Sequence, residues 1–179
     1  MFVDADDKLN KKIVEFLVAQ VKPKIDIVAC SCYGFDDEGQ KNSTFFDSSR
    51  LFSEDKNDLY LQLFNDSYGQ TANVFTAIGV PWGKIYRKDF IKSKGLRFDP
   101  KLLRSEDNMF NLYAFNYARD IFYLDKPLYL YRLDHIRNYD KRNLSKIKAI
   151  FLPVARARYE SIQKLNLYDN KKVYSKYLV

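Results

Sequence analysis

Long hydrophobic runs are missing from this 179-residue chain. No apolar stretch approaches the ~20 residues that cross a bilayer as a helix. No basic segment followed by an apolar one opens the chain, as a secretion signal would. The expectation is a cytoplasmic protein. Cysteine and histidine are scarce as well: Cys30 and Cys32 are the only thiols and His135 the only imidazole. Two residues apart in an apparent strand, the cysteines point to opposite faces, so a disulfide between them would be strained. With a single histidine, a zinc-type site lacks ligands, and buried or half-buried thiols are expected. Glycine and proline are few, at 6 and 5, which argues against long disorder.

What the chain has is enough apolar material, 46% of residues, for one ordinary domain with a real core. Its net charge of +7 comes from 30 basic residues scattered among 23 acids, with no basic block. That pattern argues against a nucleic-acid partner. A diffuse positive charge suits anionic substrates or a membrane surface.

Strands and helices alternate along the chain, which gives an α/β class with no internal repeat. The segment 7–21, DKLNKKIVEFLVAQV, carries Leu9, Ile13, Phe16, Leu17 and Val21 at helical spacing, and Pro23 ends it. IDIVACSCY (25–33) reads as a strand, and a second short one falls around Thr44–Phe46. Ser53, Glu54 and Asp55 look like the start of a helix running to Phe64. A strand near Lys84–Tyr86 gives way to a short helix stopped by Gly95. Ser105 is the expected cap of the helix SEDNMFNLYAFNYAR. IFYLD and LYLYR read as two strands about the Lys126-Pro127 turn. The tail from Asn143 is helical in pattern, with a kink or break expected at Pro153.

Two carboxylate clusters stand out. The first is FVDADD, in which Asp4 and Asp6 lie at i and i+2 after a fragment of strand. At the carboxyl end of a strand, where open α/β sheets bind ligands, that spacing lets two carboxylates converge on one hard cation. Mg²⁺ or Mn²⁺ takes one or two carboxylates plus substrate phosphate oxygens. The plainer alternative is that Asp7 caps the following helix and Asp4 and Asp6 are solvated turn residues. The second cluster is Glu106-Asp107 in a first helical turn. There the helix dipole favours an ionised carboxylate able to accept a proton, with simple capping as the alternative.

Taken in order, four segments resemble family 2 glycosyltransferases of the GT-A fold. FVDADD resembles the strand end bearing the family's metal-binding DxD motif. PWGKIYRKDFIKSKGLRF is similar to its W-x-K-hydrophobic-Y-R segment, SEDNMFNLYAF to its E-D-x-x-F acceptor-site helix, and IFYLDKPLYLYR to its paired closing strands. The match covers roughly Phe2 to Arg132, which defines residues 1–132 as the C-terminal part of a GT-A domain and 133–179 as a helical extension. The expected fold is a partial GT-A domain: a mixed, Rossmann-like sheet flanked by helices, with a helical tail.

The resemblance implies inverting transfer of a sugar from a nucleotide-sugar donor, a UDP-sugar first among candidates, to a hydroxyl on a glycan or lipid-linked acceptor. Surface polysaccharide assembly, at the inner face of the membrane, is the implied setting. Asp4 and Asp6 would hold Mn²⁺ or Mg²⁺ on the donor diphosphate. Asp107 would be the general base, and Glu106 would position the acceptor or the base. Lys84, Arg87 and Arg132 would contact phosphate or acceptor, against the ordinary reading of surface cations. Trp82 would stack on a sugar, against a packing role. His135 follows the last strand, where a histidine reaches the metal in some relatives. The family's nucleotide-binding half has no counterpart before Phe2. The expectation is therefore a piece of a longer enzyme, or one completed by a separate N-terminal half. A non-catalytic, glycan-binding GT-A remnant is the alternative.

Overall fold

The computed structural model describes residues 1–37, 39–43, 45–64, 78–133 and 144–167. Two long strands form its spine: β2 (Ile25–Asp36) and β6 (Asp120–Arg132) run parallel, with Val28 opposite Phe122 and Cys32 opposite Tyr129. β2 is buried over its first eight residues, as expected of a parallel strand covered on both faces. Short antiparallel strands fill both flanks of the pair. β5 (Lys84–Tyr86) and β3 (Gly39–Ser43) lie along β2, while β4 (Arg50–Phe52) and β1 (Lys8–Leu9) lie along β6. The result is a six-stranded mixed sheet flanked by helices, the expected α/β architecture.

Several elements differ from the sequence reading. The first helix, α1, is only Ile13–Val18. Lys8 and Leu9 are drawn instead to the edge of β6, opposite Leu130 and Tyr129, because that edge offers backbone partners a solvated helix turn does not. The helix α2 (Asn57–Phe64) starts at Asn57 rather than Ser53. The Asp55 carboxylate accepts the Asn57 N–H at 2.9 Å and forms the turn that precedes it. The strand expected around Thr44–Phe46 does not form at Phe45 and Phe46, which lie in the core outside any strand; β3 ends before them at Ser43, and Thr44 is outside the described residues. The two expected closing strands are one, β6. The ladder slips between Leu124 and Pro127, leaving Asp125 and Lys126 as a bulge. A proline with no N–H to give is tolerated at such a break.

The helix α3 (Lys88–Ser93) is followed by Gly95 with φ +60°, as its stop signal suggested. The helix α4 (Glu106–Tyr117) buries Met109, Phe110, Asn111, Leu112, Ala114 and Phe115, most of its circumference. Ser105 precedes it in a left-handed conformation, φ 57°, and its side chain makes no capping bond. Pro153 lies within a single helix, α5 (Leu144–Lys164), rather than splitting it. Val154 and Ile162 of α5 are buried, and the hydroxyls of Ser161 and Tyr113 are 2.9 Å apart, so this helix packs on α4. Cys30 and Cys32 are buried thiols. Among the described residues, no helix is long and apolar enough to cross a membrane.

Candidate active site

The carboxyl ends of β2 and β6 lie side by side because the strands are parallel, and the acidic segment closes over that end of β6. The Asp7 N–H donates to the Asp4 carbonyl at 3.3 Å, folding residues 4–7 into a turn. Three groups of β6 hold it there. The Tyr129 hydroxyl donates to Asp7 Oδ2 at 2.6 Å and accepts the Asp4 N–H at 3.1 Å. The Arg132 N–H donates to Asp7 Oδ1 at 2.8 Å, and Arg132 Nε donates to the Asp6 carbonyl at 3.0 Å. Asp7 is therefore not a helix cap; its carboxylate anchors the turn to the sheet. Asp4 and Asp6 are exposed on the turn thus fixed. Burial first, and the bond to Asp7 next, push the Tyr129 hydroxyl upward, so it stays protonated and available to donate.

Behind the turn lies the segment Gly79–Lys84, held from several sides. Phe2 and Trp82 pair as an isolated parallel bridge. The Asn111 amide donates to the Gly79 carbonyl at 2.7 Å, the Lys84 ammonium to the Val80 carbonyl at 2.6 Å, and the Cys30 N–H to the Gly83 carbonyl at 2.9 Å. A Cβ on Gly79 would stand 1.7 Å from Asn108 Oδ1, so the segment runs against the first turn of α4. The Phe2 ring meets Tyr86, Phe98 and Phe110 edge-on, with centroids 5.3–5.8 Å apart. Phe110 is one helical turn beyond Asp107. The acidic turn and the start of α4 therefore share one support.

At that start, Asp107 accepts the Asn108 N–H at 2.6 Å. A helix terminus alone would hold the carboxylate low, but burial prevails and raises it; the Asn108 bond and the Lys84 charge oppose the rise and Glu106 adds to it. A carboxylate moved toward neutral pH is a stronger base while ionised.

The other predicted residues fall differently. Trp82 is 2% exposed, its indole stacked on Tyr129 (centroids 4.3 Å apart, 8° between planes) and on Tyr131, so the packing role weighed beside sugar stacking is the one the contacts describe. Lys84 is fully buried and ties carbonyls of its own segment, so it is no surface contact for phosphate. Arg87 sits at the opposite end of the sheet, its guanidinium donating to the Lys22 and Ile25 carbonyls at 3.0 and 3.1 Å. It lies there beside Asp26, 4% exposed, which Arg119 grips through its backbone N–H, Nε and Nη2. Burial opposes the Asp26 charge, yet the Arg119 bonds and the two guanidinium charges outweigh it and hold the carboxyl low. Arg132, by contrast, is at the acidic turn. His135 lies outside the described residues.

Sequence reasoning missed Tyr129, Asp7 as an anchor, and the Asp26–Arg119 pair. Only the alternation of LYLYR, which sends Tyr129 and Tyr131 to one face, hinted at the first. Among the described residues no three His, Cys, Asp or Glu side chains gather as a metal site. Asp4 and Asp6 are hard oxygen donors on a fixed turn, and they suit a Mg²⁺-like ion that completes its shell with phosphate oxygens and water.

No family model matches the chain. Two curated relatives from Bacillus subtilis are both named as glycosyltransferases. EpsH is 25% identical over 149 residues, 82% of this chain and 40% of its own length. EpsJ is 29% identical over 136 residues, 73% of this chain and 36% of its own. The chain thus spans about two fifths of the length of these relatives. Its fold matches that of TarS from S. aureus. The crystal structure of TarS residues 1–349 with UDP superposes with a TM-score of 0.65 at 22% identity, covering 99% of this chain and 45% of that one. The same fragment with UDP-GlcNAc gives 0.59 at 20% identity, covering 88% and 41%.

Proposed function

We propose, from relatives that are glycosyltransferases and a site whose two acidic clusters share one support, that this chain carries the metal and acceptor side of an inverting glycosyltransferase of the family 2, GT-A type. The donor is a nucleotide sugar, a UDP-sugar first among candidates. The acceptor is a hydroxyl of a glycan or lipid-linked glycan, and the setting is surface polysaccharide assembly at the membrane's inner face. The observation that carries this reading is the Gly79–Lys84 segment, which pairs with Phe2, just before the acidic turn, on one side and abuts the first turn of α4 on the other.

In this reading Asp4 and Asp6 would hold Mn²⁺ or Mg²⁺, and the bound cation would supply charge stabilisation for the diphosphate leaving group. Arg132, at the same turn, adds positive charge for the phosphates. Asp107 takes the proton of the acceptor hydroxyl. The oxygen forms its bond to the anomeric carbon as the bond to the diphosphate oxygen breaks, and that electron pair departs on UDP. One displacement inverts the centre. Glu106, next to Asp107, orients the acceptor and helps keep the base strong. Trp82, Lys84 and Arg87 keep structural roles.

The test is turnover of a radiolabelled UDP-sugar by the protein isolated from its own cells. Mn²⁺-dependent release of sugar, lost on chelation and in Asp107→Asn while the circular dichroism spectrum is unchanged, supports the assignment. An Asp107→Asn protein with full activity contradicts it.

A further inference from the structure

The Tyr129 hydroxyl bonds both ends of the acidic turn: it accepts the Asp4 N–H and donates to the Asp7 carboxylate, three residues on. Few side chains can do this, because the group must be donor and acceptor at once. The rest of Tyr129 is immobilised. Its residue is 0% exposed, its ring lies flat against Trp82, and its backbone is laddered to both Leu9 and Cys32. Trp82 pairs in turn with Phe2, two residues before Asp4. The hydroxyl is therefore a fixed point to which a short, otherwise exposed terminal segment is referenced from both sides.

We propose that Tyr129 is a positioning residue that presets the Asp4–Asp7 turn, so that the backbone carrying Asp4 and Asp6 is already ordered when a divalent cation and a diphosphate arrive. The role rests on the metal reading above and adds to it a residue outside the carboxylate motif. Preset ligands bind better because the ordering of the turn is not charged against the binding step. Asp7 and Arg132 share the task, and Tyr129 bonds both ends of the turn.

Tyr129→Phe tests this, since it keeps the stacked ring and removes only the hydroxyl. Two NMR measurements on the whole chain separate the proposal from the reading beneath it. The first is solvent exchange of the Asp4 amide without metal. The wild type should be protected, and the variant should exchange about tenfold faster, the loss of one ordinary hydrogen bond. The second is a Mn²⁺ titration in the presence of UDP, read as line broadening of the amides of residues 4–7. The variant should need about tenfold more Mn²⁺ than wild type. A variant equal to wild type in either measurement overturns the role of Tyr129 and leaves the metal reading standing. A wild-type chain whose amides at 4–7 ignore Mn²⁺, while Asp4 remains protected, overturns the metal reading and the proposal with it.

Discussion

Lys84 should make the stability of this protein depend on pH in a way one substitution removes. The ammonium is completely buried, bonded to the Val80 carbonyl at 2.6 Å and to the Trp82 carbonyl at 3.4 Å. Burial drives it from 10.5 down to about 7, against the opposing charges of Cys30, Cys32 and Asp107. Between pH 7 and 10.5 the unfolded chain therefore holds a proton on Lys84 that the folded chain does not, and stability rises with pH across that window. The slope is about 1.4 kcal/mol per pH unit, and roughly 5 kcal/mol separates the two ends. Lys84→Met fills a similar volume, leaves two carbonyls without their donor at a cost of about 1–3 kcal/mol, and has no proton to lose. Urea denaturation of both proteins at pH 7.5, 8.5 and 9.5 checks this. Wild type should gain on the variant by about 1.4 kcal/mol per pH unit. A difference that stays constant with pH would refute the placement of a strained, buried ammonium behind the site.

Asp107, held high mainly by burial, costs the fold stability once ionised. Asp107→Asn should therefore raise the melting temperature at pH 7 and lose that advantage below about pH 4, where the wild-type carboxyl is protonated in both states. Asp26 is the opposite case, a carboxyl held low against burial by Arg119 and Arg87. Asp26→Asn should destabilise at pH 7, and the deficit should close as pH falls below 3.8 toward the folded value, as urea midpoints at descending pH will read. Gly79→Ala should cost about 1–3 kcal/mol of stability, because the new methyl meets Asn108 and Leu63 at 1.7 and 2.6 Å. The melting temperature will show it, and an unchanged value would mean that the segment does not press on α4.

Periodicity identified the elements whose own residues decide them. β2 is an apolar run that only a strand covered on both faces accommodates, and α4 carries apolar residues around most of its turn. The segment after the acidic turn misled because its spacing suits a helix, while the open edge of β6 competes for the same backbone and wins Lys8 and Leu9. No local pattern records that edge. The same limit applies to charged side chains. Lys84, Arg87 and Arg132 look alike as residues in a basic chain, yet one is buried under a turn, one braces the far end of the sheet, and one grips the acidic turn. Which of these a cation does depends on long-range pairing, as does the hydroxyl of Tyr129, 125 residues from the amide it holds. The carboxylates at 4, 6, 106 and 107 could be singled out as candidates because what marks them is short-range: spacing at a strand end and position in a first helical turn.

The central claim is that the acidic turn binds a nucleoside diphosphate through a divalent cation. Calorimetric titration of UDP into the chain, with Mn²⁺ and with chelator, tests it most directly, repeated on Asp4→Asn/Asp6→Asn. The account predicts saturable UDP binding that appears only with Mn²⁺ and vanishes in the double variant. UDP binding of equal strength with chelator present, or surviving loss of both carboxylates, would contradict it.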